Sequence, residues 1–298
     1  MMQKLTEGVS PLPSAMPNFD SVFALPSHFS AAFVLHSWPW KESSLIVEFL
    51  SASHGRITAI AKGARRPHSP VRGLLQPFLP LAIKLSGKSE IKTVGKVQVL
   101  PPFLELPDQY LAAGLYANEL TLALVPRANP DDAIFSAYKN CMQELTHNPP
   151  AEGAIRRLEK RLLIASGFSP PFNHASEGMI KPEETYTLVE GRGWVRTEKS
   201  VSKHHSLYSL SEGKAEVLSV KGSILLAIAN EQFTPNNLAS GTERSAIKQV
   251  LHYLLRSIAP QVGKKSRQSW QELSALAKDF SNRNQHQGLN PFIKEINP

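Results

Sequence analysis

Cysteine is almost absent from this sequence, since the 298 residues include only Cys141. One cysteine cannot form an intramolecular disulfide or supply the thiolates of a structural zinc site, which excludes disulfide-stapled secreted scaffolds and cysteine-based zinc fingers. Long apolar runs are also lacking. The most apolar stretch, 111–125, contains Asn118 and Glu119 and is shorter than the ~20 residues of a membrane-spanning helix. The sequence therefore predicts a soluble, cytoplasmic protein.

The motifs of nucleotide-dependent and hydrolytic enzymes are missing as well. Neither a Gly-x-x-x-x-Gly-Lys-Ser/Thr run nor a strand-flanked Gly-x-Gly-x-x-Gly occurs, which argues against an ATPase. Gly-x-Ser-x-Gly and His-Glu-x-x-His are absent too. The adjacent carboxylates Asp131 and Asp132 fit a helix start better than a magnesium site. We therefore predict no catalytic residues, no cofactor and no metal, with an enzyme as the rival class.

What the sequence does have is a concentrated excess of positive charge. The chain carries 33 Lys and Arg against 25 Asp and Glu. Residues 41–100 hold ten of these cations and three of the acids, so the rest of the chain is nearly neutral. A single basic segment of this kind is typical of a surface that follows a nucleic-acid backbone, although an ordinary solvated face is the alternative.

The same basic segment shows the pattern of short β-strands. Val, Ile, Leu, Phe and Thr recur in five runs, and turn-forming His54-Gly55 and Ser86-Gly87-Lys88 separate two pairs of them. Five short strands connected mostly as hairpins are typical of a small closed barrel, of which the OB-fold is the commonest with this strand number. The predicted strands are 32–36, 44–50, 56–62, 79–85 and 91–99, with 63–77 as the one long connection.

After Pro101-Pro102 the apolar residues recur with a helical period. Capping residues and glycines mark the expected ends of the helices. The predicted helices are 110–125 with Leu111, Leu115, Leu122 and Val125 inward; one capped by Asn129 and running to Leu145; 154–166 with Ile155, Leu158, Leu162 and Ala165 inward; 219–229; one capped by Thr242 and ending before Pro260; and 270–277.

The expected fold class is therefore α+β, with an N-terminal five-stranded OB-fold barrel followed by a helical bundle domain. Residues 172–210 carry short β-like runs and interrupt the helical region. The predicted domains are 1–29, a poorly ordered extension; 30–101, the OB-fold nucleic-acid-binding domain; 102–171 and 211–280, the helical domain; 172–210, an inserted segment; and 281–298, a tail.

The long connection and its neighbouring strands supply the candidate DNA-binding residues. Cations there can neutralise phosphates, and an exposed aromatic ring can stack on bases, although burial in the barrel core is the alternative for Trp38, Trp40 and Phe78. Trp40 is the first choice because Lys41 follows it. The candidates are Trp40, Lys62, Arg65, Arg66, Arg72, Lys84, Lys88 and Lys92, with Lys264, Lys265 and Arg267 as a second group near the C-terminus.

At these residues the sequence resembles the RecO family of bacterial DNA repair proteins. The most specific elements are Ala61-Lys62-Gly63-Ala64-Arg65 and Leu74-Leu75-Gln76-Pro77-Phe78 in combination. Weaker similarity extends from about residue 31 to residue 273 and includes Gly114-Leu115-Tyr116 and Lys265-Ser266-Arg267. The resemblance implies an OB-fold, a helical domain and a zinc-ribbon-like insertion. It also implies that the protein binds single- and double-stranded DNA, anneals complementary strands and associates with the nucleoid.

The resemblance also implies protein partners: RecR, the single-stranded-DNA-binding protein, and RecA indirectly, without any membrane association. One departure concerns the insertion, where many family members have four cysteines and residues 172–205 here have none. His174, His204 and His205 alone make a poor structural zinc site, so no metal is predicted.

Two interpretations stay open at this point. The cations of the third helix are either a solvated face or a binding site for the acidic, Phe-ending tail of the single-stranded-DNA-binding protein. An RNA-binding OB-fold protein without a repair role also fits the charge distribution. The candidate partner-binding residues are Arg156, Arg157, Lys160 and Arg161.

Overall fold

The computed structural model describes residues 26, 28–101, 106–146, 151–197, 218–233, 241–260 and 262. Its first five strands form a closed barrel in the order β1-β2-β3-β5-β4. The β3–β5 pair is parallel and the other neighbouring strands are antiparallel. The predicted N-terminal five-stranded barrel followed by helices is confirmed. The strands are β1 (Ser30–Trp40), β2 (Ser44–Ser51), β3 (Gly55–Ala61), β4 (Leu81–Ser86) and β5 (Lys92–Val99).

The barrel encloses its own apolar core because strand side chains alternate between two faces. On β3, Ile57, Ala59 and Ala61 are buried and the residues between them are partly exposed. Two residues of the long β3–β4 connection, Ala64 and Leu75, also enter this core. The other buried members are Ala32, Val34, Val47, Phe49, Leu81 and Ile83.

The first half of β1 is buried on both faces. Ala32 and Val34 face the barrel interior, whereas Phe33 and Leu35 belong to a second core shared with the helices. The Phe33 ring lies 5.2 Å from that of Tyr138, measured between centroids. Strand β1 therefore attaches the barrel to the helical part of the molecule.

Five α-helices lie in the described part of the chain, and most of the second core is formed by their buried faces. Gly167, with φ of +74°, follows the third helix and ends it in the left-handed conformation, as the sequence predicts. The helices are α1 (Leu111–Leu124), α2 (Asp132–Thr146), α3 (Ala151–Ala165), α4 (Gly222–Ala229) and α5 (Gly241–Ile258).

The predicted inward face of α1 is wrong for two of its four residues, whereas Val125 is buried and Leu122 packs against the second core. Leu111 and Leu115 are 36% and 47% exposed, whereas the buried side consists largely of small and polar residues. Gly114 shows the reason, because a methyl group there would lie 2.8 Å from the Phe78 ring. The small side lets α1 approach the barrel closely, so Leu111 and Leu115 point away, whereas Leu120 is buried. On α3, Ala165 is likewise exposed instead of inward.

Three further expectations about element ends are corrected. The cap of α2 is Asp131, not Asn129, because its carboxylate accepts hydrogen bonds from the Ala133 and Ile134 amides at 2.8 and 3.0 Å. Helix α5 begins at Gly241, which places Thr242 inside its first turn. Residues 219–221, predicted as helix, form a strand before α4.

That strand belongs to a small sheet. β10 (Ser219–Lys221) pairs with β8 (Thr185–Val189), which also pairs with β9 (Gly193–Arg196). A two-stranded sheet of β6 (His174–Ala175) and β7 (Gly178–Met179) accompanies it. Most of the predicted extension 1–29, the predicted helix 270–277 and the tail 281–298 lie outside the described residues.

Candidate nucleic-acid interface

Five cations lie on two segments that begin at one end of the barrel, the β1–β2 turn and the β3–β4 connection. The β1–β2 turn and the start of the β3–β4 connection are adjacent there, because Leu45 pairs with Ala61. The Arg65 amide donates to the Ser43 carbonyl at 2.8 Å, and the Arg65 Nη1 lies 3.3 Å from the Glu42 carbonyl oxygen. We call Lys41, Lys62, Arg65, Arg66 and Arg72, all exposed, the loop cations.

The segment that carries most of the loop cations is held by its own backbone. Amide-to-carbonyl hydrogen bonds run from Arg66 to Gly63, from Ser69 to Arg66 and from Arg72 to Ser69, at 3.1 to 3.2 Å. Its buried residues Ala64 and Leu75 fix it to the barrel core. The connection therefore presents its cations from a folded support, which reduces the entropy lost when they bind a polyanion.

Four further cations lie on the β4–β5 hairpin. Lys84, Lys88 and Lys96 are exposed, whereas the Lys92 ammonium donates to the Gly87 carbonyl at 3.2 Å. Parallel pairing of Ile60 with Thr93 places the start of β5 beside the end of β3, two residues before Lys62. The hairpin cations (Lys84, Lys88, Lys92 and Lys96) therefore adjoin the loop cations through the β3–β5 pair.

The tenth cation of the basic segment, Arg56, has a structural role. Its Nε donates to the Val125 carbonyl at 2.7 Å and its Nη1 lies 3.3 Å from the buried Glu48 carboxylate. Arg127 contacts the same carboxylate at 2.8 Å. Burial lowers the pKa of Arg56, while the Glu48 charge raises it. Arg56 thus joins the barrel to the α1–α2 connection.

The three candidate aromatics differ in exposure. Trp40 is 42% exposed and Trp38 is half-buried, whereas Phe78 is only 9% exposed and packs against Gly114. Phe78 therefore serves the barrel–helix contact. Trp40 directly precedes the loop cation Lys41, so a ring and a cation are neighbours at the same barrel end.

A β-bulge in β1 determines which side chains lie on the same face of the strand as Trp40. Val34 pairs with Phe49 and His36 with Glu48, which leaves Leu35 as an extra residue on β1. After the bulge, Trp38 pairs with Ile46 and Trp40 with Ser44, on the outer side of the barrel. His36, not selected from the sequence, lies on the same side. We call His36, Trp38 and Trp40 the aromatic row.

The four α3 cations do not form one exposed face. Arg156 and Lys160 are buried, which corrects their placement on a common binding surface. Arg156 pairs with Glu159, and the Lys160 ammonium donates to the Ala229 carbonyl at 2.8 Å and contacts Glu231 at 3.0 Å. These partners compensate the charges that burial removes from water.

The other two α3 cations, Arg157 and Arg161, line a cleft between α2 and α3 of about 190 Å³. Arg157 pairs with Glu144 at its rim, and Arg161 is exposed. Cys141 lies at the cleft, and burial raises the pKa of its thiol, with the Glu144 charge adding to the effect. The structure thus brings two of the four predicted partner-binding residues together. Lys264, Lys265 and Arg267 lie outside the described residues.

The sequence matches the family model for the N terminal of recombination protein O over residues 27–103. It matches the model for the C terminal of the same protein over residues 109–268. The chain belongs to the recombination protein O family. The resemblance inferred from the barrel residues is thereby confirmed.

Relatives within the recombination protein O family carry the name DNA repair protein RecO. The one from Burkholderia orbicola is 38% identical over 174 residues, which cover 58% of this chain and 63% of the relative. Those from Cupriavidus metallidurans and Ralstonia nicotianae are each 32% identical and cover 76% and 75% of this chain, and 72% and 78% of their own length. The match to the first relative thus spans a little under two thirds of its length.

The part of this recombination protein O family member that the structure describes contains neither a metal-site cluster nor a helix suited to cross a membrane. In the described ranges, no cluster of three or more His, Cys, Asp and Glu side chains has the arrangement of a metal site. His174 is exposed on β6, and His204 and His205 lie outside those ranges. None of the helices described is both long and apolar enough to cross a membrane.

Proposed function

We propose that this protein is a DNA-binding repair protein that grips backbone phosphates with the loop and hairpin cations. The observation that carries the proposal is that these cations are concentrated on one small barrel. They lie on adjoining elements, next to the exposed Trp40. Lysine and arginine contacts with phosphate release counterions and are independent of base sequence. Membership of a family whose relatives are named for DNA repair supports DNA as the ligand.

The proposed action is annealing of complementary strands and help in loading RecA, together with RecR, on DNA coated by single-stranded-DNA-binding protein. Annealing requires that two phosphate backbones be neutralised while the pairing edges of the bases stay accessible. In this proposal the loop and hairpin cations hold one strand, and a second basic group holds the other, either Lys264, Lys265 and Arg267 or the cations of the helices. The protein then works by binding and positioning, and no bond-making step is assigned to it.

Annealing of complementary oligonucleotides without ATP tests this function. With both strands coated by single-stranded-DNA-binding protein, the protein is expected to accelerate duplex formation, measured by a fluorescence-quenching pair on the strand ends. RNA strands of the same sequence serve as the comparison. If DNA annealing is not accelerated, the proposed function is wrong. If RNA annealing is accelerated as much as DNA annealing, a specific role in DNA repair is contradicted and an RNA-binding OB-fold protein is favoured.

The α2–α3 cleft is the proposed site for the acidic, Phe-ending tail of the single-stranded-DNA-binding protein. Arg157 and Arg161 offer guanidinium donors for its carboxylates, and Ala133, Ala137 and Ala154 supply an apolar lining for the ring. The site uses only the two α3 cations that reach the cleft.

Arg161→Glu is expected to weaken binding of a tail peptide by at least about tenfold, because it replaces a favourable charge contact with a repulsive one. Naked-DNA affinity should change less than about twofold, since Arg161 lies outside the barrel. Peptide binding is measured by isothermal titration calorimetry and DNA binding by anisotropy. Equal losses for both ligands would refute the separation of the two sites.

A further inference from the structure

We infer that the aromatic row stacks on unpaired bases and gives the barrel a preference for single strands that its cations cannot provide. The inference rests on the proposed DNA-binding function and adds the residues that distinguish strand type. His36, Trp38 and Trp40 occupy alternate positions of β1, so their side chains share one face of the strand. The partners opposite them are Glu48, Ile46 and Ser44.

The bulge in β1 explains how this row reaches solvent. If Leu35 were paired in regular alternation instead of forming the bulge, Trp38 and Trp40 would share the face of Val34 and point into the barrel. With the bulge, the outer face of β1 changes from helix contact at Phe33 and Leu35 to exposed rings at His36 and Trp40.

The dimensions of the row suit a run of bases. Alternate strand residues are about 6.6 Å apart, so the row extends for about 13 Å along β1. The rings of His36 and Trp38 are neighbours, tilted by 32° with centroids 5.5 Å apart. Opposite Trp38, Ile46 is buried at 9% exposure, and its β3 partner Ile60 is partly exposed.

The loop cations lie at the Trp40 end of the row and the helices at the His36 end. Trp40 leads into Lys41, and Arg65 Nη1 reaches the Lys41 carbonyl oxygen at 3.4 Å. At the His36 end, the buried Glu48 pairs with Arg56 and with the exposed Arg127, and the Asn118 side-chain amide donates to the Leu35 carbonyl at 2.8 Å. A bound strand therefore has its phosphates at the loop cations and its bases directed along β1 towards the helices.

Strand selectivity follows from which faces of the bases are accessible. In a duplex each base is covered by its stacked neighbours, and only phosphates and groove edges are offered. An unpaired base exposes its flat face, and stacking on an aromatic side chain is sequence-tolerant because every base has one. The cations bind both kinds of DNA, so the rings alone separate them.

The test compares three ligands of equal phosphate number: an oligo-dT, an abasic strand and a hairpin duplex. Anisotropy titrations use the full-length protein and its Trp40→Ala, Trp40→Phe and Trp38→Ala/Trp40→Ala variants. Trp40→Ala is expected to lose about 5- to 100-fold in affinity for oligo-dT. Its affinity for the abasic strand and the duplex should change less than about twofold, and Trp40→Phe should restore most of the loss.

Leu115→Ala is the matched control, because Leu115 is a similarly exposed large apolar residue on α1, at 47% against 42% for Trp40. It should leave all three affinities unchanged. If the unmodified protein binds oligo-dT and the abasic strand equally, or if Trp40→Ala weakens duplex binding as much as oligo-dT binding, the inference is wrong and the proposed function stands. If the unmodified protein binds none of the three ligands, the proposed function itself fails.

Discussion

Replacing Gly55 with alanine is expected to destabilise the protein by about 3 kcal/mol or more, because two costs coincide there. Gly55 has a φ of +67°, in the region where a side chain is strained. The alanine Cβ would also lie 2.3 Å from the Asn129 carbonyl oxygen, a backbone atom of the α1–α2 connection. Relief requires the barrel and this connection to separate, which would disturb the contact of Arg56 with the Val125 carbonyl and that of Arg127 with Glu48. Equilibrium urea denaturation measures the loss.

Two other glycines allow the cost of backbone strain to be measured separately from the cost of the steric clash. Gly87 has a φ of +103° with open space around its Cα, so Gly87→Ala should show the backbone cost alone. Gly73 has neither a positive φ nor a close neighbour, so Gly73→Ala should be nearly neutral. A destabilisation at Gly55 no larger than that at Gly87 would mean that the barrel and the α1–α2 connection are not packed as described.

Removing the side chains of Arg65 and Arg66 together is expected to weaken DNA binding strongly while leaving the fold intact. Both are exposed, and neither belongs to a buried ion pair in the described structure. Each phosphate contact contributes about 0.7 to the salt exponent for single strands, which corresponds to about fivefold in affinity at 0.1 M salt. Two lost contacts should therefore cost about 25-fold, measured by anisotropy with a labelled oligonucleotide.

Lys248 and Arg256 provide a control with the same change in net charge. Both are exposed on α5, away from the barrel strands and their loops. Lys248→Ala/Arg256→Ala should leave oligonucleotide affinity within about twofold of the unmodified protein. A similar loss in both double variants would indicate attraction by overall charge and not a local phosphate-binding surface.

The barrel was predictable from the sequence because its strands follow local rules. Turn-forming glycines such as Gly55 and Gly87 do have positive φ, and apolar residues recur at strand spacing. The bulge at Leu35 was not predictable, because one extra residue leaves the surrounding apolar run unchanged. His36 consequently went unnoticed as a neighbour of the tryptophans. The one available signal was its spacing of two residues from Trp38.

The α3 cations show why burial of charge is difficult to predict. Arg156 and Lys160 are on a helix whose sequence is amphipathic, and exposed lysines and arginines are the rule. The partners of Lys160 are at Ala229 and Glu231, about seventy positions away in the chain. Only tertiary structure brings these groups together, so the sequence placed all four cations on one face.

The face of α1 was mispredicted for a related reason. Leu111 and Leu115 have the spacing of a buried stripe, yet the side that carries Gly114 is inward because α1 lies close to the barrel. Asn118 occupies that side, where its amide donates to Leu35 and its carbonyl accepts from Tyr138. Burial raises the pKa of Tyr138, which keeps its hydroxyl protonated as the donor. Polar residues with fixed partners can thus line an interface that apolar periodicity would assign elsewhere.

The salt dependence of single-strand binding tests the central claim most directly. If the loop and hairpin cations contact phosphates, log Kobs plotted against log[salt] should fall with a slope of about −2 to −6, since nine contacts at about 0.7 each set the upper limit. The Arg65→Ala/Arg66→Ala variant should have a slope shallower by about 1.4. A slope close to zero in the unmodified protein, or one that both replacements leave unchanged, would show that these cations do not hold the DNA backbone.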